Sequence, residues 1–234
     1  MASPVDIVNL ALGHLGDDAN VSNIDPSDGS AQADHAVVYY PMARDQVLCE
    51  HAWSFSTRRA YLATRALTSP DEQPGNWLYC YALPSDCLQP IAVLDAIPAG
   101  STALTSFPPY TSASPSDMGD GVNNDDKAND FIQEVLSDGT KVIFTNVPTA
   151  ILRYTKSITD TTKFTPLCVN AIARLLASFL AGPIIKGETG MKVASGHLKQ
   201  YEQLDLPKAI TQDVRAQRRN VYKNFTPAGI AARA

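Results

Sequence analysis

Apolar residues recur at helical spacing close to the N-terminus. The stripe follows an i, i+3, i+4, i+7 pattern and consists of Val8, Ala11, Leu12 and Leu15. Ser3 and Pro4 precede it and suit the cap and first turn of a helix, and Asp6 can complete a capping box. Gly16 then provides a helix stop. We predict a first helix between Ser3 and Gly16.

A second helical pattern runs from about Ser30 to Glu50. Its apolar face consists of Ala33, Val37, Tyr40, Val47 and Leu48. Pro41 falls inside the pattern and removes one backbone hydrogen bond, so we predict that the helix is kinked there.

Residues 40–63 begin with helical spacing and end with the alternation of a strand. Trp53 and Phe55 alternate with serines, which is a period of two. This change predicts a structural joint between a helical part and a β part. The predicted joint consists of Trp53, Phe55, Arg58 and Arg59. We expect the two arginines to pair with acids of the second helix or to stack on Trp53.

Strand patterns fill the middle of the chain. They cover Trp77–Pro84, Gln89–Ala96, Phe131–Leu136, Thr140–Val147 and Ile151–Tyr154. Asp138 and Gly139 separate the third and fourth runs, and this dipeptide between alternating runs is typical of a hairpin with a type I′ turn. Residues 98–130 are rich in Pro, Ser, Asp and Gly, and this stretch is too long for an ordinary connection. We expect it to be a surface loop of the β part.

Two further helices are predicted towards the C-terminus. Thr165 and Pro166 are a cap followed by a proline in the first turn. The fourth helix begins near Glu188, and we expect His197 on its apolar face to be a packed residue rather than a ligand. Pro207 either interrupts or ends this helix. Residues 221–234 form a predicted extended arm.

Helices at both ends with strands between them predict an α+β fold. We expect an antiparallel bundle of four helices, two from each chain end, formed by residues 1–57 and 160–220. A small antiparallel β domain, residues 58–159, would be inserted into this bundle, and the C-terminal arm would follow it.

The charge of the chain is unevenly distributed. The 234 residues carry a formal net charge of −5, yet residues 208–234 contain six bases and one acid, and residues 1–50 contain eight acids and one arginine. The basic end is expected to dock on an acidic partner, and charge alone leaves open whether that partner is protein or nucleic acid. No run of about 18 apolar residues occurs, so no membrane span is expected.

The sequence contains no catalytic or metal-binding pattern. The four cysteines form no C-x-x-C pair, and the four histidines are scattered, so no zinc-site spacing arises. Phosphate-loop and nucleophile-elbow motifs do not occur. Cys49 and His51 are two residues apart and would point away from each other on a helix. We expect no enzyme activity, no cofactor and no metal.

Several motifs in order resemble a known family. Arg44 to Phe55 reads R-D-x-V-L-x-E-H-x-W-x-F, and Leu83 to Leu88 reads L-P-x-D-C-L. The sequences Leu-Arg-Tyr at 152–154 and Phe-Thr-Pro-Leu at 164–167 follow. Together, over about residues 5–205, they resemble the head-to-tail adaptor (connector) family of tailed phages, the tail tubular protein A-like proteins.

The resemblance implies a structural virion protein rather than an enzyme. Such proteins form a ring, usually of about twelve copies, that continues the DNA channel between the portal and the tail without specific DNA binding. The implied partners are further copies of the chain, the portal protein, and nozzle or tail-fibre proteins, in the virion tail after assembly in the host cytoplasm. No membrane is implied. The segment expected to dock on the portal contains Arg215, Arg218, Arg219, Tyr222, Lys223, Phe225 and Ile230.

Two other function classes stay open on the residues alone. One is a monomeric peptide- or carbohydrate-binding module, with Trp77, Tyr79 and Tyr81 as an aromatic platform on one face of a strand. The other is a hydrolase whose site has no recognised motif.

Overall fold

The computed structural model describes residues 2–18, 20–67, 75–95 and 129–216. In this part of the chain the protein is mixed α+β, with helices and two small antiparallel sheets. The described residues fall into two compact units. Those up to 59, with 84–91 and 153–216, form the helical unit, and those within 60–83 and 92–152 form the β unit.

The helices and strands of the described residues alternate little along the chain. The helices are α1 (Pro4–Leu15), α2 (Ala31–Glu50), α3 (Pro166–Ile185), α4 (Gly187–Gln200) and α5 (Leu206–Ala216). The strands are β1 (Thr57–Tyr61), β2 (Ala63–Thr64), β3 (Tyr79–Ala82), β4 (Cys87–Asp95), β5 (Phe131–Val135), β6 (Lys141–Thr145) and β7 (Ala150–Lys156). One sheet has the order β1-β7-β4, and the other has the order β2-β3-β6-β5.

The predicted starts of the first three helices are confirmed, and each has a local capping contact. Ser3 and Asp6 form a reciprocal capping box, and Gly16 ends α1 with a φ of 73°. The hydroxyl of Ser30 accepts from the amide of Ala33 at the start of α2. Thr165 caps α3, with proline in the first turn. Each cap satisfies an amide that has no partner within the helix.

Helix α3 is the centre of the helical unit's core. It packs against α1, α2 and α4, and its buried residues include Ile172, Leu175, Leu176 and Leu180. By length and composition this helix could also cross a membrane, with a mean hydropathy of 1.7, but 56% of it is buried in the unit. A helix that is apolar on most sides and buried has the composition expected of a core helix.

Pro207 interrupts the fourth predicted helix and does not end it. Residues Tyr201–Asp205 form a π-helical turn, in which the amide of Leu206 donates to the carbonyl of Tyr201. Helix α5 then continues to Ala216, with Pro207 as its second residue. Because a proline ring collides with the carbonyl four residues earlier, the wider turn relieves a clash that a regular helix would impose.

The predicted hairpin is confirmed, but its turn type was wrong. Strands β5 and β6 pair antiparallel from Val135 and Lys141 outward. Leu136 and Thr140 are joined by an amide-to-carbonyl bond, and the amide of Gly139 donates back to Leu136. A type I′ turn would need a positive φ at Asp138, but among the described non-glycine residues only Lys186 has a positive φ. Gly139 has a φ of 80°. The loop therefore has three residues, a type I turn followed by a left-handed glycine.

One apolar cluster of the β unit lies around β3 and β6. It consists of Cys80, Leu136, Val142 and Phe144, with Trp77 and Leu67 packed against it. Tyr81 is buried on the other side of β3, and its hydroxyl donates to the carbonyl of Val147. The predicted platform is corrected here, because Trp77 lies on the Cys80 side and Tyr81 is only 1% exposed.

The division into units differs from the predicted insertion, 58–159, at three places. Residues 58–59, 84–91 and 153–159 belong to the helical unit. The reason is visible at Leu88, which packs against the helical core. Residues 98–128 of the predicted loop and the arm 221–234 lie outside the described residues, whereas Asn129 pairs with Val93.

Candidate functional site

A buried carboxylate joins α5 to the segment that follows α2. The side chain of Asp213 is fully buried. Its oxygens accept from the Ser54 hydroxyl at 2.6 Å and from the Ser54 amide at 3.1 and 3.2 Å. Nε2 of His51 lies 3.2 Å from the same carboxylate. A buried charge that is held by several donors fixes both elements in one arrangement.

The segment that receives Asp213 is shaped by its own backbone. Helix α2 ends at Glu50, and the next residue, His51, has an extended backbone with φ −148° and ψ 148°. The carbonyl of Trp53 then accepts from the amides of Ser56 and Thr57 and from the Thr57 hydroxyl. This tight turn directs the amide of Ser54 towards α5.

Trp53 lies in the core of the helical unit. It is fully buried, and its indole Nε1–H donates to the carbonyl of Val47 at 2.8 Å. The ring of His51 meets it edge-on with centroids 5.0 Å apart, and Phe55 stacks on it at 5.7 Å. These contacts hold the end of α2 against the residues that follow it.

A second long-range contact joins α2 to the π-helical turn. The Tyr201 hydroxyl donates to Oε2 of Glu50 at 2.9 Å. Burial and the neighbouring Glu50 carboxylate both raise the pKa of Tyr201 above its ordinary value. The phenol is therefore a permanent donor, and this contact is structural in character.

Asp86 forms a third contact between separate motifs. Its carboxylate accepts from the Tyr154 hydroxyl at 3.0 Å and pairs with Lys156 at 2.9 Å. The hydrogen bond from Lys156 is the main cause that lowers the pKa of Asp86. Burial, followed by the bond to Asp86, raises the pKa of Tyr154 to about 12. The L-P-x-D-C-L motif is thus joined to the Leu-Arg-Tyr motif.

The two predicted joint arginines lie in strand β1 beside Arg153. Nη1 of Arg58 donates to the carbonyl of Thr57 at 2.9 Å. Arg58, Arg59 and Arg153 line an open pocket of about 340 Å³ together with Ser54 and Thr57. The rings of His51 and Phe55 lie against Trp53. The pairing of Arg58 and Arg59 with acids of α2, or their stacking on Trp53, stays a prediction.

An open groove of about 530 Å³ runs beside α5. Its apolar part is formed by Leu167, Leu204 and Pro207, and its polar part includes Lys208 and Arg215. Arg215 is the one residue of the predicted docking segment that the structure describes. The others, Arg218, Arg219, Tyr222, Lys223, Phe225 and Ile230, lie outside the described residues.

A polar cluster lies beneath the π-helical turn. Nε of Arg174 donates to Asp205 at 3.1 Å, and its Nη1 lies 3.2 Å from Nδ1 of His197. Burial, reinforced by the charge of Arg174, lowers the pKa of both His14 and His197. His197 is a packed histidine with a named partner, as expected from the sequence.

These groups do not form a catalytic arrangement. Ser54 donates its hydroxyl proton to Asp213, and His51 bonds to the same carboxylate, whereas nucleophilic activation needs the histidine to accept from the serine. No group of three or more His, Cys, Asp and Glu side chains in the described ranges could hold a metal ion.

No family model matches the chain, and no curated protein matches its sequence significantly.

Sequence reasoning did not identify Asp213 or Arg153. Asp213 is the one acid among the six bases of residues 208–234, and this isolation is the only local signal of its role. Arg153 lies within the Leu-Arg-Tyr motif, but its position beside β1 depends on strand pairing, which no local pattern contains.

Proposed function

We propose that this chain is a head-to-tail adaptor of a tailed phage, a structural virion protein. Copies would form a ring between the portal and the tail or nozzle, with twelve copies as in the resembled family. The ring would continue the DNA channel. One observation carries the proposal. Residues of the motifs that resemble the family form long-range contacts within the helical unit. Glu50 bonds Tyr201, His51 lies on Asp213, and Asp86 bonds Tyr154.

The finer architecture belongs to the same proposal. Residues up to 59 and residues 153–216 share one compact unit, and most of the described sequence between them forms another. This division supports a bundle of helices from both chain ends, with the β unit as an insertion. Such a chain offers two different kinds of surface, and a ring needs two different faces because its interfaces are heterologous.

The exposed side of α5 is a suitable attachment surface. The groove combines Leu167, Leu204 and Pro207 with the cations Lys208 and Arg215. The sequence that follows adds four more bases and no acid. A partner surface that is apolar and acidic complements it, and the portal is proposed as that partner.

Electrostatics are consistent with a channel wall. The chain carries a formal net charge of −5, and like charge opposes non-specific adhesion of DNA phosphates. The role requires no cofactor and no reactive group.

The deciding experiment is reconstitution with the portal protein of the same phage. Mass photometry of the mixture is expected to show multiple copies on each portal, and electron microscopy is expected to show a ring. The double variant Lys208→Glu with Arg215→Glu should lower occupancy at least about tenfold, since it reverses both groove charges. Lys192→Glu, an exposed charge reversal on α4, should leave occupancy unchanged.

Deletion of 221–234 tests the arm separately. The truncated protein should keep its circular dichroism spectrum and melting temperature but dissociate faster from the portal. Equal attachment of truncated and full chains would refute the assignment of the arm. A chain that never associates with the portal, under conditions where both proteins are folded, would refute the adaptor function itself.

A further inference from the structure

A polar cluster joins four elements of the helical unit. His14 belongs to α1, Arg174 to α3, His197 to α4 and Asp205 to the π-helical turn. These are the titratable and charged groups that act on the two histidines in the part of the chain that the structure describes. The side chains of Arg174 and Asp205 are only 14% and 12% exposed. A change of charge in this cluster therefore occurs where water screens it poorly.

The contact between Arg174 and His197 requires a neutral imidazole. Nη1 of Arg174 lies 3.2 Å from Nδ1 of His197. A guanidinium group only donates hydrogen bonds, so Nδ1 must accept with its lone pair. A proton on Nδ1 would replace that lone pair with a second donor and would bring two cations within hydrogen-bond distance. Protonation of His197 and this contact therefore exclude each other.

His14 has no acceptor for a proton on its Nε2 atom. This atom is buried and has no hydrogen-bond partner among the described residues. The ring of His14 is a neighbour of the His197 ring, with centroids 6.4 Å apart. A protonated His14 would therefore place an unsatisfied, charged donor beside two other nitrogen bases. The direction of the pKa shifts agrees with this geometry, because burial, reinforced by the charge of Arg174, lowers the pKa of both histidines.

Arg174 also holds the π-helical turn against α3. Its Nε donates to the carboxylate of Asp205 at 3.1 Å. Leu204 lies within this turn and Pro207 lies just after it, and both line the groove of α5. The position of the Arg174 side chain therefore affects how the near end of the groove packs on α3. The far end of α5 is held separately by the buried carboxylate of Asp213.

We propose that this cluster is an acid-sensitive switch that releases the π-helical turn and the adjoining end of α5 from α3. Near neutral pH both histidines are neutral, and Arg174 bridges His197 and Asp205. On acidification the cluster changes from one cation and one carboxylate to three cations and one carboxylate. The repulsion separates Arg174 from His197 and weakens its hold on Asp205. The switch itself is independent of the adaptor function, whereas its effect on attachment at the groove rests on that function.

Hydrogen exchange of the full chain, measured by mass spectrometry at pH 7.5 and 5.5, tests the switch. Labelling times are scaled to the intrinsic exchange rate at each pH. Amides of residues 197–208 should lose protection at least about tenfold at pH 5.5, whereas amides in the middle of α2 should not. The double variant His14→Gln with His197→Gln should not show this loss, because glutamine gains no proton and its side-chain oxygen can still accept from Arg174. His35→Gln is the matched control, since His35 lies on α2 outside the cluster, and it should show the full loss.

NMR of the histidine ring nitrogens in the unaltered chain keeps the test decisive if the double variant folds poorly. His14 and His197 should gain their protons over the same pH interval in which residues 197–208 lose protection. The proposal would be overturned if both rings became protonated while the π-helical turn kept its protection. Equal loss of protection in the double variant and in the His35→Gln control would also overturn it.

Attachment to the portal separates the switch from the adaptor function. Occupancy on the portal, measured by mass photometry, should fall at least about threefold between pH 7.5 and 5.5 for the unaltered chain, and less for the double histidine variant. Equal occupancy at both pH values, together with lost protection of the π-helical turn, would contradict the effect of the switch on the groove. Absence of attachment at both pH values would contradict the adaptor function alone, because the exchange results do not depend on the portal.

Discussion

The polar contacts within the helical unit differ in kind from those within the β unit. In the helical unit, Glu50 and His51 bond to Tyr201 and Asp213, which are about 150 or more residues away, and Asp213 is fully buried. In the β unit, the ion pair between Arg65 and Asp138 is exposed on both sides. Buried polar contacts impose a large penalty when one partner is lost, whereas exposed ion pairs contribute little.

The burial of apolar residues also differs between the two units. About half of the residues of helix α3 are buried, and the helix contacts α1, α2, α4 and α5. The β unit has buried residues outside its Cys80 cluster as well, such as Tyr81 and Ile143, but its strands leave Ile132 and Val135 exposed. The comparison teaches that the helical unit depends on particular residues, while the β unit depends mainly on strand pattern.

The largest expected loss of stability follows substitution of Trp53. Each unit contains one tryptophan, so Trp77 provides the comparison. Trp53→Ala should lower the free energy of unfolding of the helical unit by about 3–5 kcal/mol, because a fully buried ring and its bond to Val47 are removed. Trp77→Ala, at a half-buried ring, should cost clearly less. Hydrogen exchange of α3 and β6, measured by mass spectrometry, reports each unit separately. Equal losses in the two variants would end the comparison.

Asp213→Asn should have the next largest effect. The change removes a buried charge that accepts from Ser54 and His51, and it should cost about 2–3 kcal/mol in urea unfolding. Protection from exchange should fall first in α5. If α5 kept its full protection, Asp213 would not be what holds this helix.

A smaller effect is expected from pH. Folding lowers the pKa of His14 and His197 below the ordinary 6.5, so the unfolded chain binds more protons as the pH falls below about 6.5. This contribution to stability is therefore complete above that pH and is lost on acidification. Urea unfolding at pH 7.5 and 5.5 should show a smaller pH dependence for His14→Gln with His197→Gln. His35→Gln serves as the control and should retain the dependence of the unaltered chain.

The smallest effect is expected at the exposed ion pair of the β unit. Asp138→Asn should change stability less than Asp213→Asn does, because water solvates both partners of the Arg65 pair. The hydrogen bond from the backbone amide of Thr140 is the main cause of the lowered pKa of Asp138. The side-chain oxygen of an asparagine can still accept this bond. If Asp138→Asn lowered the free energy of unfolding as much as Asp213→Asn, the contrast between exposed and buried polar contacts would be wrong.

Local signals in the sequence predicted the elements, and distant pairings escaped them. Ser3 and Thr165 could be recognised as caps because their partners lie three residues away. Asp138 and Gly139 predicted a hairpin, but the turn type depended on whether Leu136 or Ser137 ended the pairing. The buried position of Asp213 depends on a contact with Ser54, which lies 159 residues earlier in the chain, and the position of Arg153 depends on the pairing of β7 with β1. No periodicity within a short window contains that information.

The π-helical turn at Tyr201–Asp205 sets the angular phase of everything that follows it. Each residue advances an α-helix by about 100°, so losing one residue from the turn would rotate every later side chain by that angle. Asp213 would then face away from Ser54, and the groove of α5 would turn with it. The number of residues in this short turn therefore determines which side of α5 packs against the residues that follow α2.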